Sequence, residues 1–145
     1  MTVIFMHTAI FVGAGGRPFD ESISSDVKTF VHTVLHYKGI KSLLVCVQPD
    51  HVHMLMQVPD TVKVLSTLET LRYWLSDFVG RHSSQPPFVW DERMWIVSKS
   101  PSDVPAMEKY FRRQELYHAV CSIEQEWQDM LDMEEIEPAS CITVF

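Results

Sequence analysis

Apolar residues along this chain switch between two spacings, and the switches divide it into elements. "VIFMHTAIFV" (3–12) has the composition of a strand and runs into "GAGGRP" (13–18), a glycine-rich loop. From Asp26 to Tyr37, the positions Val27, Phe30, Val31, Val34 and Leu35 recur at helical spacing, and Gly39 supplies a stop. "IKSLLVCVQ" (40–48) reads as a buried strand, Pro49-Asp50 as a turn, and residues 51–58 as a further strand. A second amphipathic helix is expected from about Thr61 to Val79. Val64, Leu65, Leu68, Leu71, Leu75 and Phe78 share its apolar side, and Gly80 is expected to close it. "SSQPP" (83–87) is a loop and "FVWDERMWIVS" (88–98) a strand. "SPSD" (100–103) is a strong helix start, with Ser100 as N-cap, Pro101 in the first turn and Asp103 completing a capping box. The helix it begins carries "MEKYFRRQELYHAV" (107–120), and an acidic helix follows at about 122–135. The terminal "CITVF" reads as a loose end or a late strand.

The resulting order is β, α, β, β, α, β, α, α. A short turn between the second and third strands favours a hairpin, so the sheet is expected to be mainly antiparallel with helices packed on it. This is an α+β chain close to a ferredoxin-like arrangement. Without internal repeats or a low-complexity linker, residues 1–145 read as one domain, long enough to bury a real core.

Charge is unevenly spread. Residues 1–121 carry 12 acidic side chains against all 12 lysines and arginines, while the other seven acids lie after Cys121. The body is therefore neutral and lacks the basic footprint usual for nucleic-acid binding. Cys46, Cys121 and Cys141 are odd in number and far apart, which excludes a disulfide framework and a paired-cysteine metal site. No stretch is apolar for long enough to span a bilayer, and the N-terminus lacks a basic region and a small-residue cleavage site. A cytoplasmic protein without a membrane partner is the expectation.

The candidate chemistry begins in "DHVHMLMQV" (50–58). In an extended strand His51 and His53 point the same way, leaving Val52, Met54, Met56 and Val58 for the core. Two imidazoles on one face can chelate a cation; equally, one can pack while the other meets solvent. In "YFRRQ", Tyr110 and Gln114 stand four apart, one helical turn, and so share a face. Lys109, Arg112 and Arg113 flank them, either as phosphate contacts or as a solvated helix face. His7, His32, His36 and His82 have no partner pattern, and Trp74, Trp90, Trp95 and Trp127 read as core rather than base-stacking groups.

"PDHVHMLMQVPDT" followed by "FVWDERMWIVSKSPSDVPAMEKYFRRQELYH" resembles the single-tyrosine HUH transposases of small insertion sequences and their REP-associated relatives. The likeness runs from "HTAIFV" through the acidic helix. It implies a ferredoxin-like HUH domain that serves a mobile element in DNA transposition and recombination. By matching position, His51, His53 and Gln114 would bind a divalent metal and Tyr110 would be the nucleophile. Two neutral imidazoles and an amide oxygen suit Mg²⁺ or Mn²⁺, with Zn²⁺ also compatible. The resemblance further implies a 5′-phosphotyrosine intermediate, a single-stranded DNA hairpin as partner, and a homodimer in which the tyrosine helix completes the partner's site. Two rivals remain: a domesticated nucleic-acid-binding relative that keeps the fold but does not transpose, and a metal-dependent hydrolase that uses the histidines with water as nucleophile.

Overall fold

The computed structural model describes residues 4–59 and 63–135. Four strands, β1 (Ile4–Val12), β2 (Lys41–Gln48), β3 (His51–Val58) and β4 (Trp90–Lys99), form one sheet in the order β2-β3-β1-β4. Every neighbouring pair is antiparallel. Helices α1 (Ser24–Tyr37) and α2 (Val64–His82) connect the strands, and α3 (Val104–Arg112), α4 (Gln114–His118) and α5 (Ile123–Met133) follow β4. The order and directions are those of a ferredoxin-like α+β fold, as expected.

Alternation on the central strands separates two cores. On one face Ile10, Val12, Val52, Met54, Met56, Val58 and Met94 pack against Val27, Val31, Val34 and Leu35 of α1 and Leu68, Leu71 and Leu75 of α2. On the other face Ala9, Phe11 and Trp95 lie under Trp127, Met130 and Leu131 of α5, while Leu55 meets Met107 and Phe111 of α3. β3 is covered on both sides, so seven of its eight residues are buried, the histidines included. Leu71 is fully buried between α2 and the sheet. Leu71→Ala is expected to cost about 2–5 kcal/mol of stability, the usual range for a leucine cavity, measured by denaturant unfolding.

The helix boundaries shift in three places. Gly39 does end α1, with a φ of +78° that a side chain would strain. Gly80, however, lies inside α2, which continues to His82. A helical glycine costs only about 1 kcal/mol relative to alanine, and here the His82 imidazole donates Nδ1–H to the Phe78 carbonyl, holding the last turn together (2.9 Å). The capping box at Ser100 and Asp103 forms, around a single 3-10 turn, Pro101–Asp103, and α3 starts directly after it. The helix expected over 107–120 is divided: at Arg113 (φ −92°, ψ 1°) the backbone N–H is shared between the carbonyls of Lys109 and Tyr110, each at 3.2 Å. α5 is capped by Ser122, whose hydroxyl accepts from the Gln125 N–H (3.1 Å). The start of the α2 pattern at Thr61 and the terminal "CITVF" fall outside the described residues.

Candidate active site

The turn at Pro49-Asp50 delivers His51 at the first position of β3, and the pleat sends His51 and His53 to the face covered by α3, α4 and α5. Both are fully buried. The His51 Nδ1–H donates to Asp50 Oδ1 (2.7 Å), which turns Nε2 towards Gln114 Oε1 at 3.0 Å. His53 Nδ1 shares a hydrogen bond with His7 Nε2 on the neighbouring strand (2.9 Å), which turns its own Nε2 inward. Each imidazole is therefore fixed from behind by a second polar group, the arrangement that orients metal-binding histidines. Tyr110 and Gln114 do share a face across the break at Arg113, and both reach the same point as the histidines.

That point holds a carboxylate. Glu126 of α5 is fully buried. Its Oε2 accepts from His53 Nε2 (3.1 Å), from the Gln114 amide and from the Tyr110 hydroxyl, while its Oε1 lies 3.2 Å from His51 Nε2 and 2.9 Å from His118 Nε2. Burial opposes the charge on Glu126, but its bonds to the histidines outweigh burial and hold its carboxyl far below the ordinary range. Burial likewise opposes a charged His51, yet the carboxylates of Asp50 and Glu126 push its pKa up to about 9. Desolvation keeps His7 and His53 below the ordinary imidazole value. Burial and the charge of Glu126 drive the Tyr110 phenol well above its ordinary value, so in this arrangement it keeps its proton.

Metal fit follows from the donors. One ligand atom each from His51, His118 and Glu126 lies within 4.8 Å of the others, a set that suits a divalent metal. The inward Nε2 of His53 and Oε1 of Gln114 adjoin this set through Glu126 and His51. Imidazole nitrogens with carboxylate and amide oxygens are compatible with Mn²⁺, Zn²⁺ or Mg²⁺.

Lys109, Arg112 and Arg113 are exposed, and their side chains make no hydrogen bond or ion pair to this cluster. Arg112 lies 3.9 Å from Glu108, and Lys109 and Arg113 border a groove of about 730 Å³ beside Tyr110 and Gln114. Sequence reasoning missed Asp50, His7 and Glu126 as parts of the site and gave His118 no role. For Glu126 a signal existed: it falls on the apolar stripe of α5 with Ile123, Trp127 and Met130.

His51 also sets a pH dependence for the metal-free protein. Its folded pKa of about 9 exceeds the ordinary 6.5, so its contribution to stability is complete below about 6.5 and is lost as pH rises through about 9. His7 and His53, shifted down, titrate below that window, and Tyr110, shifted up, titrates above it. The melting temperature is expected to fall between pH 6.5 and 9, and less steeply in Asp50→Asn, which lacks one of the two carboxylates. A flat profile, or equal slopes in both proteins, would contradict the role given to Asp50.

Comparison with known proteins accords with this architecture. The family model described as "Transposase IS200 like" matches residues 5–114, and the chain belongs to that family. In structure it is similar to a Deinococcus radiodurans R1 protein solved as a candidate transposase, with a TM-score of 0.63 at 12% identity over 79% of this chain and 92% of that one. It is similar as well to a REP-associated tyrosine transposase bound to a REP hairpin, with a TM-score of 0.61 at 13% identity over 79% of this chain and 67% of that one. No curated protein matches the sequence. Among the described residues, no helix is long and apolar enough to cross a membrane.

Proposed function

We propose that the protein cuts and rejoins single-stranded DNA, with Tyr110 as nucleophile and His51, His53 and Gln114 as holders of a divalent metal. The observation that carries this reading is convergence: the Tyr110 hydroxyl, both histidines and the Gln114 amide all meet one buried anion position. When bound, Mg²⁺ or Mn²⁺ would polarise a phosphodiester and offset the charge developing on it. Tyr110 Oη attacks phosphorus, the bond from phosphorus to the 3′ oxygen breaks, and the departing oxygen takes up a proton as a 3′ hydroxyl. The strand's 5′ phosphate is then an ester of Tyr110. Attack by a 3′ hydroxyl reverses the step, because the ester keeps the bond energy, so rejoining needs no nucleotide cofactor.

Asp50 and His7 hold the two imidazoles in orientation, and the exposed side chains of Lys109, Arg112 and Arg113 would meet phosphates along the strand. The REP hairpin held by the structural relative supports a hairpin-bearing single strand as substrate. In the single chain Tyr110 reaches the histidines of its own sheet; exchange of α3 between two copies would rebuild the same cluster across a homodimer. Among the described residues Cys46 and Cys121 are free thiols, and a cytoplasmic setting is part of this reading.

The test is covalent trapping. Labelled single strands from the DNA flanking the gene, incubated with protein and Mn²⁺ or Mg²⁺, are expected to yield a band that survives denaturation. The site-blocking position of Glu126 favours one other reading, a binding-only relative. That protein would bind the same strands with steep salt dependence and give no covalent band.

A further inference from the structure

Three of the four acids of helix α5 find a partner on the site face of the sheet and its helices, as does one acid just beyond it. Glu124 binds Arg93 of β4 (2.8 Å), Glu126 fills the histidine–tyrosine cluster, Asp129 accepts from the Tyr117 hydroxyl, and Glu134, just past the helix, pairs with Lys99 at the end of β4. Arg93 also lies over the Trp127 ring, 4.9 Å from its centre. The groups so occupied are two cations, three histidines, an amide and two phenols. All of them are hydrogen-bond donors of the kind that phosphate oxygens accept.

We infer that α5 is an internal stand-in for the substrate strand, with the Glu126 carboxylate holding the place of the phosphate that Tyr110 attacks. This rests on the strand-transfer reading above and deepens it: Arg93 and Lys99, beneath α5, become strand contacts, and the site is closed until Glu126 withdraws. Three observations favour a stand-in over a permanent metal ligand. His53, His118, the Gln114 amide and the Tyr110 hydroxyl all donate to the carboxylate, and His51 Nε2, bonded to Gln114 Oε1, stands 3.2 Å from it, so the carboxylate sits among groups that would hold an anion. A carboxylate bonded to the Tyr110 hydroxyl opposes both formation of the phenolate and approach of a phosphate, so its presence works against the reaction. As a ligand it would also cancel one of the metal's two charges and take a position that a phosphate oxygen needs. Among the described residues the Trp95 indole N–H, buried beside Trp127, has no hydrogen-bond partner, as expected of a group whose partner arrives only when the face is uncovered.

The experiment uses the full chain and two probes. Inorganic phosphate, the smallest anion of the right shape, is expected to raise the melting temperature of Glu126→Ala and leave wild type unchanged. Stabilisation of neither protein, or of both equally, overturns the proposal. Glu126→Gln keeps the side-chain volume should the alanine variant not fold; it is expected to bind a fluorescent single strand about tenfold more tightly than wild type, because a like charge is gone. Covalent product should rise in parallel. A fall in product at unchanged strand affinity would instead make Glu126 a working part of the site and overturn the stand-in. If phosphate enters Glu126→Ala but no protein forms product on any strand, the strand-transfer reading fails and the anion place stands.

Discussion

Tyr110→Phe is expected to abolish the covalent protein–strand product, with cleavage falling about 10³-fold or more, the scale seen when an essential nucleophile is removed. The change deletes one oxygen. The ring keeps its edge contacts with His7 and His53 and its neighbour Phe111, so the fold is retained. The deleted hydroxyl is the one bonded to Glu126, and its loss would remove the proposed nucleophile without touching the histidines. Strand affinity is therefore expected to stay near that of wild type, since Lys109, Arg112 and Arg113 are untouched. This separates the reading from a water-using metal hydrolase, whose turnover would survive the substitution. Denaturing gels for product and fluorescence anisotropy for binding check both halves.

His51→Ala is expected to have the next largest effect. It removes one inward nitrogen and leaves Asp50 and Gln114 without their shared partner. Replacing even a supporting partner of a metal-bound histidine commonly costs 10–100-fold in affinity or activity, so loss of the imidazole itself should cost about 10²-fold or more. Titration with Mn²⁺ by calorimetry measures the lost affinity, and chelation of wild type should reproduce the loss of cleavage. Full cleavage in the presence of chelator would remove the metal from the account.

How much of this was legible beforehand follows from the range of each interaction. The facing of His51 and His53 depends only on strand alternation, and the pairing of Tyr110 with Gln114 only on a helical turn, so both could be read locally. The ferredoxin-like order needed little more: element sequence, one tight turn and the rule that helices cover a sheet. What lay outside reach was register. His7 meets His53 because Ala9 pairs with His53 and His7 with Leu55, and nothing in either segment specifies that match. Glu126 is the larger omission. Its partners lie 8 to 75 residues earlier, and in a run of seven acids it looked solvated, although its place on the stripe of Trp127 and Met130 marked it for burial. The division at Arg113 was equally hidden, since residues 107–120 hold no glycine or proline to announce it.

The most direct test of the central claim is to locate the bond. Trapped product would be digested with protease and nuclease and the peptides mapped by mass spectrometry. The account predicts a nucleotide mass on the peptide containing Tyr110, carried by that residue. Attachment to Tyr117, which sits one helix further on and bonds to Asp129, would contradict it, as would a cleaved strand with no modified peptide.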